Sequence, residues 1–261
     1  MNLVNNYAEQ IIQNGFCIIE DYYTGDEIAV IFGEIEAILD QAILPISPEE
    51  IESSIDQKYL FLKKHHGVIK SRCYDMFGLM ASLNRFINKQ IITDISKEIY
   101  QTPVLMNNCQ VRVDDNSMDR DLPLHQELNQ LSVFNLTVWV PLKDVLDRES
   151  GGLQVSPGSH KLGLLKHKEF NGYSGVRSSE LTKVKNPVRV PVKKGSAIVF
   201  HPYLVHGTLP NKSSSIRWTS TARFNELSHI NYLKDEKADI ASGYDLYHTM
   251  PELRKTIFPK E

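Results

Sequence analysis

The sequence SAIVFHPYLVHGT at residues 196–208 contains two short β-prone runs, 196–200 and 203–208, separated by a His-Pro turn. The same pattern begins near Pro103, after which runs of branched and aromatic residues alternate with Gly, Pro, Asn and Asp. The eight runs lie at 104–113, 123–127, 131–141, 152–156, 188–192, 196–200, 203–208 and 215–225. Short strands between frequent turn signals predict a closed or double-sheet antiparallel β architecture.

The first hundred residues favour helices. A short helix is expected at 7–14, where Gly15 ends it, followed by an apolar strand at 16–20. The sequence from Thr24 predicts a long amphipathic helix to about residue 43, with isoleucines at three-to-four spacing. A second long helical run is expected at 74–100. Its apolar side is expected to pack in the core and carries Met76, Met80, Leu83, Phe86 and Ile87.

These patterns predict a mainly β protein with flanking helices, in a single domain that spans 1–261. Residues 1–100 would form a helical buttress with the first strand, 101–226 the β core, and 227–261 a C-terminal extension. The 261 residues are 41% hydrophobic and 23% charged, near the averages for globular proteins. The sequence shows no internal repeat and no second domain.

Charge and cysteine usage limit the expected partners and compartment. The formal net charge is −3 and no basic stripe is present, so we expect neither nucleic acid nor a membrane as a partner. The three cysteines are too few and too odd in number for a disulfide framework, and Cys17 lies in an apolar strand as core filler. No signal peptide is recognisable, so we expect a cytoplasmic protein. The oligomeric state is left undetermined.

Three residues that are distant in sequence form a candidate metal site. His125 and Glu127 flank one residue within a β-prone run, and alternate side chains of a strand share a face. With His206 they would make the two-His, one-carboxylate facial triad of non-haem Fe(II) oxygenases, which leaves three metal positions open. A structural zinc site would need four ligands, usually with cysteines, and the sequence has no such cluster. Arg217, eleven residues after His206, supplies a cation for an acidic co-substrate.

Residues 104–224 resemble the phytanoyl-CoA dioxygenase family of Fe(II)/2-oxoglutarate oxygenases. The motifs that match in order and spacing are HQE at 125–127, TVWVPL at 137–142, GGL at 151–153, SPGSHK at 156–161, KGSA at 194–197, FHP at 200–202, HGT at 206–208, Asn211 and Arg217. The stretch GFCIIED at 15–21 is similar to the family's first strand. One departure is Glu127, because the family's usual carboxylate ligand is Asp. A Gly or Ala at this position would have indicated a halogenase.

The resemblance implies a double-stranded β-helix, or jelly-roll, core buttressed by the N-terminal helices. It also implies Fe(II) at the three-residue site, with 2-oxoglutarate and O₂ as co-substrates. Arg217 would hold the distal carboxylate of 2-oxoglutarate through its bidentate fork, and Thr208 would donate its hydroxyl to the same carboxylate. Trp139 would line the pocket, with an ordinary core position as the alternative. The implied reaction is hydroxylation of a C–H bond with release of succinate and CO₂. Desaturation, epimerisation or cyclisation would use the same centre.

The candidate substrate residues lie on two strands. Asn108, Gln110 and Arg112 alternate along one strand and make a polar face where an apolar one would be expected. Arg223 shares a strand face with Arg217 and would contact substrate or form a buried ion pair. We therefore expect a small polar metabolite in preference to a long-chain acyl-CoA. The alternative is that these residues pair with each other or with the carboxylates of the 114–122 loop.

Other features leave alternatives open. The polar stretch 163–187 is interpreted as a lid or binding loop, or else as a surface insertion. His160 is expected to stabilise a turn, and His201 to lie outside the metal set. Two other classes of function remain. One is a cupin-type metal-dependent isomerase or lyase that does not use 2-oxoglutarate, and the other is a catalytically silent binding module of the same fold.

Overall fold

The computed structural model of the protein describes residues 2–101, 104–117, 123–127, 135–170 and 173–226. The helices are α1 (Leu3–Asn14), α2 (Gly25–Ile43), α3 (Ile55–His65), α4 (Gly67–Leu79), α5 (Ala81–Ile87), α6 (Gln90–Tyr100) and α7 (Ser178–Leu181). The strands are β1 (Phe16–Ile19), β2 (Val104–Asp114), β3 (Asn135–Pro141), β4 (Gly152–Val155), β5 (His167–Phe170), β6 (Tyr173–Val176), β7 (Val188–Arg189), β8 (Ala197–Phe200), β9 (His206–Leu209) and β10 (Arg217–Glu226). Helices predominate before residue 101 and strands after it, in a mixed architecture of helices and antiparallel sheets.

The ends of the first helices follow the local sequence. Gly15 ends α1 in a left-handed conformation, with φ of 89°, which glycine adopts without strain. Thr24 caps α2 through a capping box, in which its hydroxyl accepts from the Glu27 N–H and the Glu27 carboxylate accepts from the Thr24 N–H. Apolar residues at three-to-four spacing then bury one side of α2, including Ile31, which is fully buried.

The predicted single helix at 74–100 is wrong. Three helices, α4 to α6, cover this part of the chain, with breaks at Met80 and near Asn88. The sequence analysis also missed α3, although Ser54 and Gln57 form a capping box at its start. Met76 is 46% exposed, so its assignment to the core is wrong as well. The other members of the predicted apolar side lie in or against the core, because each short helix turns its own apolar side inward.

The strands form two main antiparallel sheets and one hairpin. The five-stranded sheet has the order β1-β8-β3-β10-β2, the three-stranded sheet β7-β4-β9, and β5 pairs with β6. The larger sheet has an apolar core on each face because its side chains alternate. One face, with Val138 and Trp218, packs in the core shared with the helices, whereas Trp139 and Ile198 pack with Leu153 of the smaller sheet. Among the described residues, no helix is both long and apolar enough to cross a membrane.

Several predicted strands are shorter than the sequence indicates. The run 123–127 forms only an isolated bridge at His125, and the run 203–208 becomes a strand only at His206. The run 188–192 contains a two-residue strand followed by an isolated bridge at Val192. A strand ends where its main chain loses a hydrogen-bonded neighbour, and the pattern of polar and apolar side chains does not show where that happens. These strand boundaries were therefore not predicted. The run 131–134 and the predicted extension at 227–261 lie outside the described residues.

Candidate metal centre

His125, Glu127 and His206 lie together, as the sequence analysis predicted. One possible ligand atom from each residue can be chosen so that all three lie within 4.8 Å of one another. Glu127 and His206 are buried, and His125 is partly buried. In the part of the chain that the structure describes, this is the only group of three His, Cys, Asp or Glu residues with such spacing. The cluster is therefore the candidate metal centre.

Backbone pairing places the two imidazoles side by side. The His125 N–H donates to the His206 carbonyl at 2.8 Å, and the His206 N–H donates back to the His125 carbonyl at 3.0 Å. This reciprocal pair of hydrogen bonds places the ring centroids of the two histidines 4.3 Å apart. The Glu127 N–H donates to the Pro202 carbonyl at 3.0 Å, so the segment that carries His125 and Glu127 also contacts the loop before β9. Main-chain bonds to the start of β9 and to the loop before it thus fix the positions of all three residues.

Both histidines present the same ring nitrogen to the centre. Nδ1 of His125 lies 2.8 Å from the Pro123 carbonyl, and Nδ1 of His206 lies 2.9 Å from the Leu204 carbonyl. A carbonyl only accepts, so each Nδ1 carries a proton, which leaves Nε2 as the ring nitrogen that could bind a metal. Burial and the neighbouring His206 lower the pKa of His125 to about 4, so this imidazole is neutral at pH 7. Two imidazoles that offer Nε2 beside a carboxylate fit a divalent metal of the iron class.

Arg223 holds the carboxylate of Glu127. Its Nε and Nη2 donate to the two carboxylate oxygens at 3.1 and 3.2 Å, which makes a bidentate ion pair. Burial alone would raise the pKa of Glu127, but Arg223 and the two imidazoles outweigh it and hold the pKa well below its ordinary value. Glu127 is therefore an anion. Of the two roles that the sequence left open for Arg223, the structure shows the buried ion pair.

A polar face extends from this centre across β2 and β10. Arg217, Thr219, Thr221 and Arg223 lie on one side of β10, and their partners on β2 are Asp114, Arg112, Gln110 and Asn108 in the same order. Directly paired residues of neighbouring strands share a face of the sheet. The alternate polar residues of β2 and those of β10 therefore lie side by side on one face. Oγ1 of both Thr219 and Thr221 is buried without a hydrogen-bond partner in the described residues. The side chain of Asn108 lies outside the described part.

Arg217 is buried at one end of this face and is tied to the protein. Its Nη2 lies 3.1 Å from the Asp114 carboxylate, and its Nη1 donates to the carbonyls of Ser150 and Leu209 at 2.6 and 3.1 Å. Asp114 also pairs with Arg112 at 3.2 Å, as in the alternative that the sequence analysis left open. The grip of Arg217 on 2-oxoglutarate stays a prediction, and any ligand carboxylate there would share the guanidinium with Asp114.

Gly151 permits the close approach of Arg217. Its φ is +65°, and a Cβ at this position would lie 2.2 Å from the Pro210 carbonyl oxygen and 2.6 Å from Nη1 of Arg217. Gly151→Ala is therefore expected to lower the free energy of unfolding by more than about 2 kcal/mol, as measured by chemical denaturation. Gly33→Ala is the control, because no atom lies within 4 Å of the added methyl, and a gain of about 0.5–1 kcal/mol is expected in mid-helix. Equal stability of Gly151→Ala and the unchanged chain would contradict the argument.

The remaining predicted co-substrate residues lie nearby on two strands. Thr208 follows His206 by two residues on β9, so the two share a face, and it is 8% exposed. Trp139 is buried opposite Thr221, in the core between the two sheets. Phe200 of the same core packs its ring 4.6 Å from that of His206. This apolar wall restricts the access of water to one side of the centre.

Two other histidines lie outside the centre. Nε2 of His160 lies 3.0 Å from the Ile12 carbonyl and connects the turn after β4 to α1, which fits its expected role in a turn. The ring of His160 lies 5.3 Å from that of His201. Nδ1 of His201 accepts from the Tyr203 N–H at 3.0 Å, inside the loop that leads to β9. Neither belongs to the group that could hold a metal.

Gln126, between the two candidate ligands, fastens the segment 163–187 to the centre. Its Nε2 donates to the carbonyls of Gly163 and Tyr203 at 3.0 and 2.7 Å, and its Oε1 accepts from the Leu165 N–H at 2.9 Å. The Val176 N–H donates to the Leu124 carbonyl at 2.8 Å. The segment was interpreted as a lid or surface insertion without regular structure. It instead contains the β5–β6 hairpin, docked against the strand-like run that carries the ligands.

Replacing Gln126 with Leu is expected to loosen this hairpin. The substitution leaves two carbonyls and one N–H without partners in a buried place, at a cost of about 1–3 kcal/mol for each such group. Amide hydrogen exchange across 163–170 and 173–176 should therefore accelerate by about tenfold or more. Gln41→Leu removes an exposed amide from α2 and should leave the exchange unchanged. Unaltered protection of the hairpin in Gln126→Leu would contradict the assignment.

The sequence comparison that assigns a family covers most of the chain. The family model described as phytanoyl-CoA dioxygenase (PhyH) matches residues 11–219. The chain belongs to the phytanoyl-CoA dioxygenase family.

Individual family members differ in how much of this chain they match. Peroxisomal phytanoyl-CoA dioxygenase of Bos taurus is 32% identical over 123 residues, which are 44% of this chain and 36% of that protein. The match thus spans about a third of the length of the bovine relative. The phytanoyl-CoA dioxygenase domain-containing protein 1 homolog of Dictyostelium discoideum is 24% identical over 260 residues, or 87% of this chain and 92% of that protein.

Solved structures share the fold at low identity. The non-heme monooxygenase ThoJ superposes with a TM-score of 0.61 at 17% identity, covering 84% of this chain and 77% of that chain. The epimerase SnoN, solved with Fe³⁺, α-ketoglutarate and nogalamycin RO, superposes with a TM-score of 0.58 at 18% identity, covering 92% of this chain and 93% of that chain. These likenesses establish a shared mixed architecture of helices and antiparallel sheets.

The contacts that two acidic residues make with Arg217 and its chain neighbours were not predicted from the sequence. Asp114 continues the alternation of β2 by one step beyond Arg112, so that pattern, extended, could have placed it opposite Arg217. Asp56, in the first turn of α3, accepts from the Ile216 N–H at 2.9 Å and from Trp218 Nε1 at 2.8 Å. These contacts fix both neighbours of Arg217, and no sequence signal indicates a contact across 160 or more positions.

Proposed function

We propose that this chain is an Fe(II)- and 2-oxoglutarate-dependent dioxygenase with His125, Glu127 and His206 as its metal ligands. The observation that carries the proposal is the donor set, since one possible ligand atom from each of two imidazoles and one carboxylate lie within 4.8 Å of one another. Membership of the phytanoyl-CoA dioxygenase family supports it. Three protein ligands leave positions for a chelating co-substrate and O₂, as such oxygenases require.

We further propose that the two sheets form the double-stranded β-helix of this oxygenase class. The packing of the five-stranded against the three-stranded sheet supports this, and so does the position of the candidate centre at β9 and its partner His125. Jelly-roll folds place two antiparallel sheets face to face around such an interior. The helices α1 to α6 buttress the outer face of the larger sheet.

The chemistry supplied by bound iron and 2-oxoglutarate is oxidation of an unactivated C–H bond by O₂, with succinate and CO₂ as co-products. The protein's own residues would bind and orient. Carbonyls of Pro123 and Leu204 fix the two imidazoles, and Arg223 fixes the carboxylate. Rigid support of this kind keeps ligands within the narrow geometry that catalysis needs.

The co-substrate would lie along the polar face between the centre and Arg217. Arg217 would bind its distal carboxylate, with the Thr208 hydroxyl as a second donor and Trp139 as an apolar wall. Burial of all three side chains supports this, because charge-assisted hydrogen bonds gain strength where water is excluded. Gln110, Arg112 and Asn108 would contribute to recognition of a small polar substrate from β2, and Arg223 from β10.

The direct test is succinate release. The purified protein with Fe(II), 2-oxoglutarate and a library of polar metabolites is expected to form succinate faster with one class of compound, with equimolar modified product by mass spectrometry. Omission of 2-oxoglutarate should abolish both. Product formation without 2-oxoglutarate would favour a metal-dependent isomerase or lyase, and absence of Fe(II) binding would favour a silent binding module.

A further inference from the structure

Arg223 differs from the buried Arg217 in being only partly buried, so that part of its side chain remains accessible. Nε and Nη2 bind Glu127, and the side chain is 12% exposed. Nη1 makes no hydrogen bond within the described part of the chain, yet it is not sealed from solvent as the unpartnered hydroxyl of Thr221 is. A guanidinium has five N–H donors, so three of those of Arg223 remain available.

Arg189 shows what an arginine with a structural role looks like in this fold. Its Nε, Nη1 and Nη2 donate to the carbonyls of Gly151, Leu146 and Val145 at 2.6, 3.0 and 3.0 Å. All three nitrogens are thereby matched to the main chain. Arg223 instead donates to a single carboxylate, that of Glu127, and a metal at the candidate centre would bind the same carboxylate. A largely buried guanidinium whose counter-ion is shared in this way favours a second anion.

Unpartnered hydroxyls flank Arg223 on the same face. Thr137 lies opposite Arg223 on β3, and Thr221 lies two residues before it on β10. The two threonines are 0% and 4% exposed, and neither Oγ1 has a hydrogen-bond partner within the described residues. Directly opposed residues of antiparallel strands have Cα atoms about 4.5–5.5 Å apart, so one small group could contact both a hydroxyl and the guanidinium. Buried hydroxyls without partners are uncommon and call for an explanation, which a bound polar group beside Arg223 would supply.

We propose that the substrate of this site carries a carboxylate, which Arg223 binds through its outward N–H donors with Thr221 as a further donor. The proposal rests on the proposed function, since it places this group beside the metal centre. A planar guanidinium matches a carboxylate in shape and charge. The substrate is thus a small acid whose reacting C–H bond lies close to its carboxylate, because the same arginine touches a candidate metal ligand.

The experiment measures binding to the Co(II)-loaded protein in the presence of 2-oxoglutarate, through the visible absorption of Co(II). The probes are hexanoate and 3-phenylpropanoate, each beside its methyl ester and its primary amide, with hexyl phosphate as the phosphate counterpart. At least one acid is expected to bind about tenfold more tightly than its ester and its amide, as a charge-assisted hydrogen bond predicts. Equal binding of acids and neutral probes, or tighter binding of hexyl phosphate, would overturn the proposal.

Variants assign the preference to Arg223. Arg223→Gln should reduce the acid-over-amide ratio to about threefold or less, because the cation is lost. Arg72→Gln removes an exposed arginine from α4 and should keep the full ratio. If Arg223→Gln does not fold, Thr221→Val tests the proposal in its place. Loss of an unpartnered buried hydroxyl should not destabilise the protein, but it should weaken acid binding about threefold or more. An unchanged ratio in the folded variant used would overturn the proposal.

Failure of the proposed function would be visible before any acid is added. In that case the unchanged protein would not bind Co(II), or its Co(II) spectrum would not respond to 2-oxoglutarate. A protein that passes both steps and then shows no acid preference would retain the proposed function and lose only the assigned substrate class.

Discussion

His125→Ala is expected to lower the affinity of the protein for Fe(II) by roughly a hundredfold or more and to abolish succinate formation. Loss of a residue that merely supports a ligand costs about 10–100-fold in metal affinity, so loss of a ligand should cost at least as much. The fold should persist, because the main-chain bonds between His125 and His206 do not involve the imidazole. Anaerobic calorimetric titration with Fe(II) measures the change.

His65→Ala provides the matched control for this variant. His65 is an exposed imidazole in the last turn of α3, and its removal should leave Fe(II) affinity within about threefold of the unchanged protein. Circular dichroism of both variants would verify that helices and strands are intact. Full Fe(II) affinity in a folded His125→Ala protein would show that the centre has been assigned to the wrong residues.

Arg217→Lys is expected to weaken 2-oxoglutarate binding by roughly ten- to a hundredfold. The substitution keeps the charge but loses the fork, and a hydrogen bond to a charged group is worth about 1.5–3 kcal/mol. The carbonyls of Ser150 and Leu209 and the carboxylate of Asp114 would compete for the remaining ammonium group. Titration of the Co(II)-loaded variant with 2-oxoglutarate measures this affinity.

Two readouts separate a co-substrate role of Arg217 from a loss of stability. Metal affinity should stay within about threefold, because in the described part of the chain the guanidinium of Arg217 hydrogen-bonds to Ser150, Leu209 and Asp114 and not to the three ligand residues. Arg189→Lys should lower the free energy of unfolding without a comparable loss of 2-oxoglutarate affinity, since the hydrogen bonds of Arg189 within the described residues go to main-chain carbonyls and the Ser150 hydroxyl. Equal 2-oxoglutarate affinity of Arg217→Lys and the unchanged protein would show that Arg217 does not bind the distal carboxylate of 2-oxoglutarate.

The helix and strand content of the chain was largely predictable, whereas its boundaries were not. The capping box at Thr24 and the left-handed Gly15 are local devices, so their effects could be predicted from a few neighbouring residues. The division of 74–100 into three helices depends on long-range packing, since α4 and α5 pack against α2 and β2, whereas α6 packs against α1 and β2. The single bridge at His125 depends on a partner 81 positions away, which the local sequence does not specify.

The candidate centre was predictable because its chemistry restricts residue types. Two imidazoles and one carboxylate are rare outside such sites in this order, and the polar alternation of β2 and β10 is visible by eye. The partners were not predictable. The pairing of Asp114 with Arg217 was not anticipated, and for Arg223 the sequence offered a buried ion pair only as an alternative, without its partner Glu127.

The sequence by itself determined the mixed helix and β architecture, the three residues of the centre and the strand faces they occupy, because periodicity and residue chemistry are local properties. The tertiary structure decided which charges meet, how Gln126 fastens the β5–β6 hairpin, and which nitrogen each histidine presents. These follow from register and from loops that bring distant carbonyls and carboxylates within hydrogen-bond distance. Such contacts form only when the chain has folded, and no short pattern encodes them.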